Sequence, residues 1–132
     1  MIGALVVTHG QLGRELVASA EMIVGDISRI HAVSIGWHDD VNNVRKYVEK
    51  LVGEMDAGTG VLILTDMFGG TPANIAFSLH VPGRIDIVTG VNLPMIIKIV
   101  TQKEGDTLEN LARVVRDQGR ASISMAGDFL NI

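Results

Sequence analysis

Short, continuous apolar runs alternate along this chain with longer segments whose apolar residues recur three and four positions apart. A continuous run of four to eight apolar residues is typical of a strand buried on both faces, whereas the wider spacing marks one face of a helix. The runs predict strands at residues 2–7, 30–35, 60–65 and 85–89. The periodic segments predict helices at residues 11–24, 40–55, 71–79, 93–100 and 107–117.

Several residues predict where these elements end. Thr71 is expected to cap the third helix, because its hydroxyl can accept a hydrogen bond from a backbone N–H of the first turn. Pro72 is expected at the first position of the helix, where a backbone N–H would have no acceptor within the helix and proline has none. Gly119 is expected to end the fifth helix. Residues 121–125 then alternate Ala, Ile and Met with two Ser, a pattern that predicts a half-covered edge strand.

Strands alternating with helices favour an α/β fold. We expect a mostly parallel, doubly wound sheet of four strands with helices on both faces, plus a C-terminal antiparallel edge strand. No repeat or Pro/Ser-rich linker divides the sequence, so residues 1–132 are expected to form a single domain. Because such sheets bind ligands outside the carboxyl ends of their strands, the residues that follow each strand are the first candidates for chemistry.

Composition excludes several classes of function. The hydrophobic fraction of 47% argues against disorder, and a net charge of −4 without a basic run argues against nucleic-acid binding. Cysteine is absent, which excludes thiol catalysis and thiolate metal sites. The apolar runs are too short to span a membrane, and no basic residue precedes the first of them as in a signal peptide. The sequence therefore predicts a cytoplasmic protein with no metal and no cofactor.

Two polar residues at strand ends are candidates for catalysis. His9 follows the first strand and Asp66 follows the third, so the two side chains meet if these strands are neighbours. Imidazole titrates near pH 6.5, so a neutral, nucleophilic form is available in the cytoplasm. A carboxylate that accepts the N–H of one ring nitrogen fixes the tautomer and leaves the lone pair of the other nitrogen directed outward.

A candidate anion site follows Asp66 in the sequence. Gly69 and Gly70 allow close backbone approach, the start of the following helix favours an anion, and the Thr71 hydroxyl adds a donor. Together with His9, these residues predict phosphoryl transfer through a phosphohistidine. No Walker-type loop is present, so ATP is not indicated as the donor.

Purely structural roles are also open for these residues. A histidine after a strand is often a structural or solvated group, Asp66 can serve as a turn or cap residue, and Gly69-Gly70 can form only a tight loop. The loop at Trp37-His38 can be a partly covered turn or a contact for a partner.

A dinucleotide-binding loop is a further alternative. Gly10 and Gly13 occupy the second and third glycine positions of G-x-G-x-x-G, but Thr8 stands at the first. The acidic residue expected after the second strand is also missing, since residues 34–36 read Ser-Ile-Gly. Both departures argue against a nicotinamide cofactor.

At these residues the sequence resembles the IIA component of mannose-family sugar phosphotransferase systems, over essentially the whole chain. The matching motifs are Val6-Val7-Thr8-His9-Gly10, Ala20-Glu21-Met22, the segment from Thr65 to Pro72, and the segment from Gly90 to Met95. The resemblance implies that His9 accepts a phosphoryl group on Nε2 from the phosphocarrier protein HPr and passes it to a IIB component. It also implies that Asp66 binds Nδ1 and that Gly70 and Thr71 contact the phosphoryl oxygens.

The resemblance further implies how the protein meets its partners. Met22 and Phe68 would line the partner surface, and a homodimer would form by exchange of C-terminal edge strands, for which residues 121–125 are the candidate. Many members have Trp where Phe68 stands and Ser where Thr71 stands, changes that keep the chemistry and can alter partner choice. The IIB domain fused in some relatives is absent, so the IIB partner is expected to be a separate protein.

Three other functions are compatible with the same residues. A regulatory module could report phosphorylation of His9 to a partner protein. The phosphotransferase subunit of dihydroxyacetone kinase shares the general fold, but its motif usually reads Ser-His-Ser where this chain has Thr8-His9-Gly10. A binder of a small ligand without phosphorylation is the third.

Overall fold

Four parallel strands and five helices alternate along the chain, of which the computed structural model describes residues 1–130. The strands are β1 (Gly3–His9), β2 (Ile30–Ile35), β3 (Val61–Thr65) and β4 (Ile85–Thr89). The helices are α1 (Leu12–Val24), α2 (Val41–Met55), α3 (Gly70–Ser78), α4 (Leu93–Val100) and α5 (Leu108–Ala121), followed by a short 3₁₀ turn at Ala126–Asp128. None of these helices is long and apolar enough to cross a membrane.

The strands form one sheet in the order β2-β1-β3-β4, and every pair is parallel. The chain first adds β2 on one side of β1 and then crosses to build β3 and β4 on the other side. The strand order therefore reverses between β1 and β3, which makes their carboxyl ends the expected ligand position. The predicted adjacency of the first and third strands is confirmed.

Helices cover both faces of the sheet because successive side chains of a buried strand point to opposite faces. Ala4 and Val6 of β1 join the core under α1, α4 and α5, whereas Leu5 and Val7 join the core under α2 and α3. All four side chains are fully buried. The predicted α/β class and the doubly wound parallel sheet are confirmed.

The predicted C-terminal edge strand is not formed. Helix α5 continues to Ala121, and residues 123–125 have no strand partner among residues 1–130. Ile123 and Met125 are 78% and 73% exposed, so within this chain the alternation of apolar and polar residues has no surface against which to pack. Such alternation favours a strand only where a neighbouring edge is available.

Gly119 lies inside α5 and does not end it, contrary to the expectation from sequence. The residue is buried against α4, and a Cβ atom at this position would lie 2.5 Å from Sδ and 2.8 Å from Cγ of Met95. Asn92 Nδ2 also donates to the Gly119 carbonyl oxygen at 3.2 Å. Glycine is therefore needed here for close packing of two helices, a role that sequence alone does not distinguish from a helix end.

Candidate functional site

His9 and Asp66 meet at the carboxyl ends of the two central strands. His9 is the last residue of β1 and Asp66 is the first residue after β3. Asp66 Oδ2 accepts hydrogen bonds from His9 Nδ1 at 2.8 Å and from the His9 backbone N–H at 2.9 Å. The carboxylate side chain is 11% exposed and the imidazole 52%, so the carboxylate is covered while the ring remains open to solvent.

The surroundings of Asp66 keep its carboxylate ionised. Burial alone would raise the pKa of Asp66, but the hydrogen bonds from the backbone and ring of His9 outweigh burial and hold this pKa below its usual value of 3.8. Oδ1 also accepts the Met67 backbone N–H at 3.1 Å. An ionised carboxylate can only accept, so Nδ1 carries the proton that this bond uses, and in the neutral imidazole of this tautomer the free lone pair is on Nε2.

A buried threonine stands immediately before each of the two candidate residues. Thr8 precedes His9 and Thr65 precedes Asp66, and both are fully buried. The Thr8 hydroxyl accepts the backbone N–H of Gly13 at 2.8 Å, which ties the first turn of α1 to the end of β1. Sequence reasoning missed this positioning contact, although a lone hydroxyl at the end of an otherwise apolar strand is a signal that could have indicated it.

Helix α3 begins beside His9 with no side-chain cap. The helix starts at Gly70 with Gly69 as its N-cap residue, so the expectation that Thr71 caps this helix is wrong. Gly69 and Gly70 have φ of 90° and 83°, a conformation that glycine adopts without strain and other residues rarely adopt. The backbone N–H groups of Gly70 and Thr71 belong to the first turn of the helix, where no carbonyl oxygen of the helix can accept from them. They have no acceptor among residues 1–130.

Gly70 lies directly against the outer edge of the imidazole. A Cβ atom at this position would be 3.2 Å from Cε1 and 3.4 Å from Nε2 of His9. The glycine backbone, the unbonded amides and the positive end of the helix dipole therefore surround the nitrogen that carries the lone pair. This arrangement can hold an anion bonded to Nε2.

The residues expected at a partner surface are strongly exposed, although they lie on different elements. Phe68 is 79% exposed and packs edge-on against Phe77 with ring centroids 6.0 Å apart. It stands two residues beyond Asp66 and hence at the site. Met22 is 89% exposed on α1, ten residues beyond the first residue of that helix and so about 15 Å along its axis.

The described part of the chain offers no metal centre beside this pair. No group of three or more His, Asp or Glu side chains in residues 1–130 could hold a metal ion. His80 lies in the loop between α3 and β4, with its Nε2 3.9 Å from Oδ1 of Asp86. Asp86 is the second residue of β4, so this pair is at the opposite end of the parallel sheet from His9.

Comparisons with known proteins identify relatives that match most of this chain. A family model described as "PTS system fructose IIA component" (EIIA-man) matches residues 3–115. The fructose-specific EIIA component of the phosphotransferase system (PTS) of Bacillus subtilis strain 168 is 27% identical over 131 residues, which cover 98% of this chain and 90% of the relative. The mannose-specific EIIAB component of Escherichia coli strain K12 is 29% identical over 129 residues, and the match covers 92% of this chain and 38% of the relative. The chain thus spans less than half the length of that relative.

Solved structures of similar proteins have the same fold. The mannose/sorbose-specific IIA subunit from Enterococcus faecalis superimposes with a TM-score of 0.83 at 27% identity, covering 94% of this chain and 93% of that one. The IIA protein associated with the fucose utilization operon of Streptococcus pneumoniae gives a TM-score of 0.82 at 28% identity, covering 97% and 96%.

Proposed function

The chain belongs to the mannose/fructose IIA family of the sugar phosphotransferase system, and from that premise we propose that it is a phosphoryl carrier whose acceptor atom is Nε2 of His9. In this proposal the phosphocarrier protein HPr donates the phosphoryl group, and a IIB component takes it onward during sugar uptake. The reactions take place in the cytoplasm. The observation that supports this role best is the hydrogen bond between Nδ1 and Asp66, which leaves Nε2 as the free nitrogen beside the open start of α3.

The chemistry is a displacement at phosphorus. The Nε2 lone pair of His9 attacks the phosphoryl group on the donor, the new N–P bond forms, and the donor nitrogen keeps the electron pair of the bond that breaks. Nδ1 retains its proton throughout. Asp66 therefore stabilises the positive charge that develops on the ring and keeps the reactive tautomer in place. In a second displacement a nucleophile of the IIB component attacks the phosphorus, and Nε2 of His9 keeps the electron pair of the N–P bond that breaks.

The start of α3 has the groups needed to hold the transferred phosphoryl oxygens. Gly69 and Gly70 bring the backbone close to Nε2, and the N–H groups of Gly70 and Thr71 together with the Thr71 hydroxyl can donate to them. Such donors stabilise charge on the equatorial oxygens without a metal ion at this histidine.

Partners are expected to approach over the exposed side chains around the site. Phe68, two residues beyond Asp66, and Met22, on α1, are both strongly exposed. A protein that covered both would exclude water from Nε2 during transfer, which protects the phosphohistidine from hydrolysis.

The mass of the intact protein tests the carrier role. Incubation with phosphoenolpyruvate, enzyme I and HPr is expected to add one acid-labile phosphoryl group to the parent and none to His9→Ala, because the acceptor nitrogen is gone. His80→Ala is the matched control and is expected to gain the group normally, since His80 lies in the loop between α3 and β4 and close to Asp86, away from His9. Full phosphorylation of His9→Ala would contradict the proposal.

A homodimer by exchange of C-terminal segments is part of the same proposal. Strand β4 is an edge of the described sheet, its five residues are only half-buried, and a cleft runs between it and α5. Ile123 lines this cleft, and Met125 beyond it is exposed. An apolar strand from a second copy could cover the open edge.

Light scattering tests the dimer. The parent is expected at twice the chain mass of 14.1 kDa, and the double variant Ile123→Asp/Met125→Asp at 14.1 kDa, because charged side chains would be buried against β4. A parent that remains a single chain at micromolar concentration would contradict strand exchange.

A further inference from the structure

Trp37 is the single tryptophan of the chain and is almost completely exposed, at 99%. Burial of a tryptophan side chain removes roughly 150–250 Å² of its surface from water. A partner that covered Trp37 would therefore gain more binding free energy than from covering most other residues. Isolated exposed apolar residues are common on protein surfaces, and exposure alone indicates nothing. The significance of Trp37 depends on how firmly it is held and on what lies beside it.

The turn that carries Trp37 is closed by its own hydrogen bonds. Asp39 Oδ2 accepts the Gly36 backbone N–H at 2.7 Å, and the Asp39 backbone N–H donates to the Gly36 carbonyl oxygen at 3.3 Å. The next residue, Asp40, caps α2 by accepting the Asn43 N–H at 3.1 Å. The indole is therefore presented on a fixed turn, which reduces the entropy that a partner must remove on binding.

This turn lies next to His9 at the carboxyl end of the sheet. Ile35, the last residue of β2, is the register partner of His9, and its carbonyl oxygen accepts the Gly10 N–H at 2.9 Å. Neighbouring strands are about 4.8 Å apart and a chain advances at most about 3.6 Å per residue, so the Cα atoms of Trp37 and His9 lie within about 12 Å. Phe68 stands two residues beyond Asp66, after β3 on the other side of β1, so an exposed aromatic residue follows each of the two strands that neighbour β1.

We propose that Trp37 is a docking anchor for the protein that donates the phosphoryl group to His9. This inference rests on the proposed function and adds a specificity-determining residue to it. The partner surface that fits is apolar with a cationic side chain, because the indole face attracts a cation and the exposed carboxylates of Asp39 and Asp40 stand beside it.

Fluorescence of the single tryptophan tests the contact directly. An HPr that lacks tryptophan is titrated into the parent protein. Calorimetry on the same pair gives the range of HPr concentration over which the two proteins bind. The emission maximum of Trp37 is expected to move to shorter wavelength across that range, because the ring leaves water. An unchanged spectrum at saturation would overturn the proposal, as would a shift produced only by a IIB component.

Kinetics of phosphoryl transfer provide the second test. Trp37→Ala is expected to raise the KM for phospho-HPr roughly 10- to 30-fold and to change kcat much less, because the ring contributes to docking and not to the chemistry. Trp37→Phe should recover part of the loss. Val81→Ala, which truncates a 46% exposed side chain just before β4, is the matched control and should leave KM unchanged.

The outcomes separate this inference from the proposed function. If the parent accepts the phosphoryl group and Trp37→Ala has the parent's KM, only the anchor is overturned. If the parent accepts no phosphoryl group from phospho-HPr, the carrier role fails, and the anchor fails with it. If the variants have the same midpoint temperature of thermal unfolding as the parent, misfolding is excluded as the cause of a raised KM.

Discussion

Two aspartates at opposite ends of β3 bind their neighbours in nearly the same way, yet only one of them holds a group that can react. Asp56, before the strand, accepts the backbone N–H groups of Gly58 and Gly60 at 2.8 Å and 3.1 Å, and Arg84 Nη2 at 2.6 Å. Asp66, after the strand, accepts two hydrogen bonds from His9 and one from the Met67 amide. The two side chains are 12% and 11% exposed.

The difference lies in the partner of each carboxylate. The hydrogen bond from Arg84 is the largest factor that lowers the pKa of Asp56, and its guanidinium is always charged and has no lone pair to offer. The imidazole of His9 has a second nitrogen, which faces the backbone of Gly70. A carboxylate that accepts backbone and side-chain N–H groups therefore closes a loop at one end of the strand and orients the imidazole of His9 at the other.

Neutralising each carboxylate in turn should separate the two roles most strongly. Asp66→Asn is expected to slow phosphoryl transfer from phospho-HPr by roughly 10²- to 10⁴-fold, because an amide no longer fixes the tautomer or stabilises the ring charge. Asp56→Asn should transfer at the parent's rate. Rapid-quench measurement of the rate at which a labelled phosphoryl group appears on His9 checks both variants. Equal rates for the two variants would contradict the different roles of Asp56 and Asp66.

Alanine at Gly60, whose N–H binds Asp56, and at Gly70, which lies against the imidazole of His9, should give the next largest effect. Gly60 and Gly70 have φ of 91° and 83°, but a Cβ at Gly60 would lie 2.9 Å from the Arg84 carbonyl oxygen, whereas at Gly70 it meets only an exposed imidazole. Gly60→Ala is expected to cost about 2–5 kcal/mol of unfolding free energy from strain and overpacking, and Gly70→Ala about 1–2 kcal/mol from strain.

Urea unfolding measures these free energies. Gly53→Ala is the control, because this glycine lies inside α2 with open space around it and should gain stability by about 0.5–1 kcal/mol. Gly70→Ala should also slow phosphoryl transfer, since its methyl group would occupy space beside Nε2. A larger stability loss for Gly70→Ala than for Gly60→Ala would contradict the comparison.

The smallest expected effect is the acid dependence of the Asp56 contact. The pKa of Asp56 is lowered in the folded protein, so its contribution to stability is complete above the unfolded pKa of about 3.9 and is lost as the pH falls through the folded value. Asp56→Asn should therefore be about 1–3 kcal/mol less stable than the parent at pH 7, with a smaller difference at pH 3. A difference that stays constant with pH would show that the charge of Asp56 contributes nothing.

The sequence was a good guide wherever a pattern repeats within one element. Continuous apolar runs predicted all four parallel strands, and because the first and third are neighbours, the meeting of His9 and Asp66 followed from topology alone. The exposure of Phe68 and Met22 agrees with the surface that the resemblance implied, while their contact with partners stays a prediction.

The errors arose where one residue type serves two purposes. Gly119 was predicted to end α5, but it is the point of closest packing against Met95, and only the neighbouring helix distinguishes these roles. Thr71 was predicted to cap α3 with Pro72 at its first position, but the two preceding glycines allow the helix to start at Gly70, two residues earlier. The contact between Asp56 and Arg84 joins residues 28 positions apart, and no local pattern indicates it.

The central position of β1 also determines how the site responds to thermal motion. A strand that is hydrogen-bonded on both sides belongs to the part of a protein that opens last, and its amide hydrogens exchange only through near-global unfolding. Local opening of the chain ends or of the edge strands β2 and β4 leaves β1 paired with β3 and so leaves His9 beside Asp66. Motions of the chain ends and edge strands during the exchange of partners would therefore leave the distance between the imidazole of His9 and the carboxylate of Asp66 unchanged.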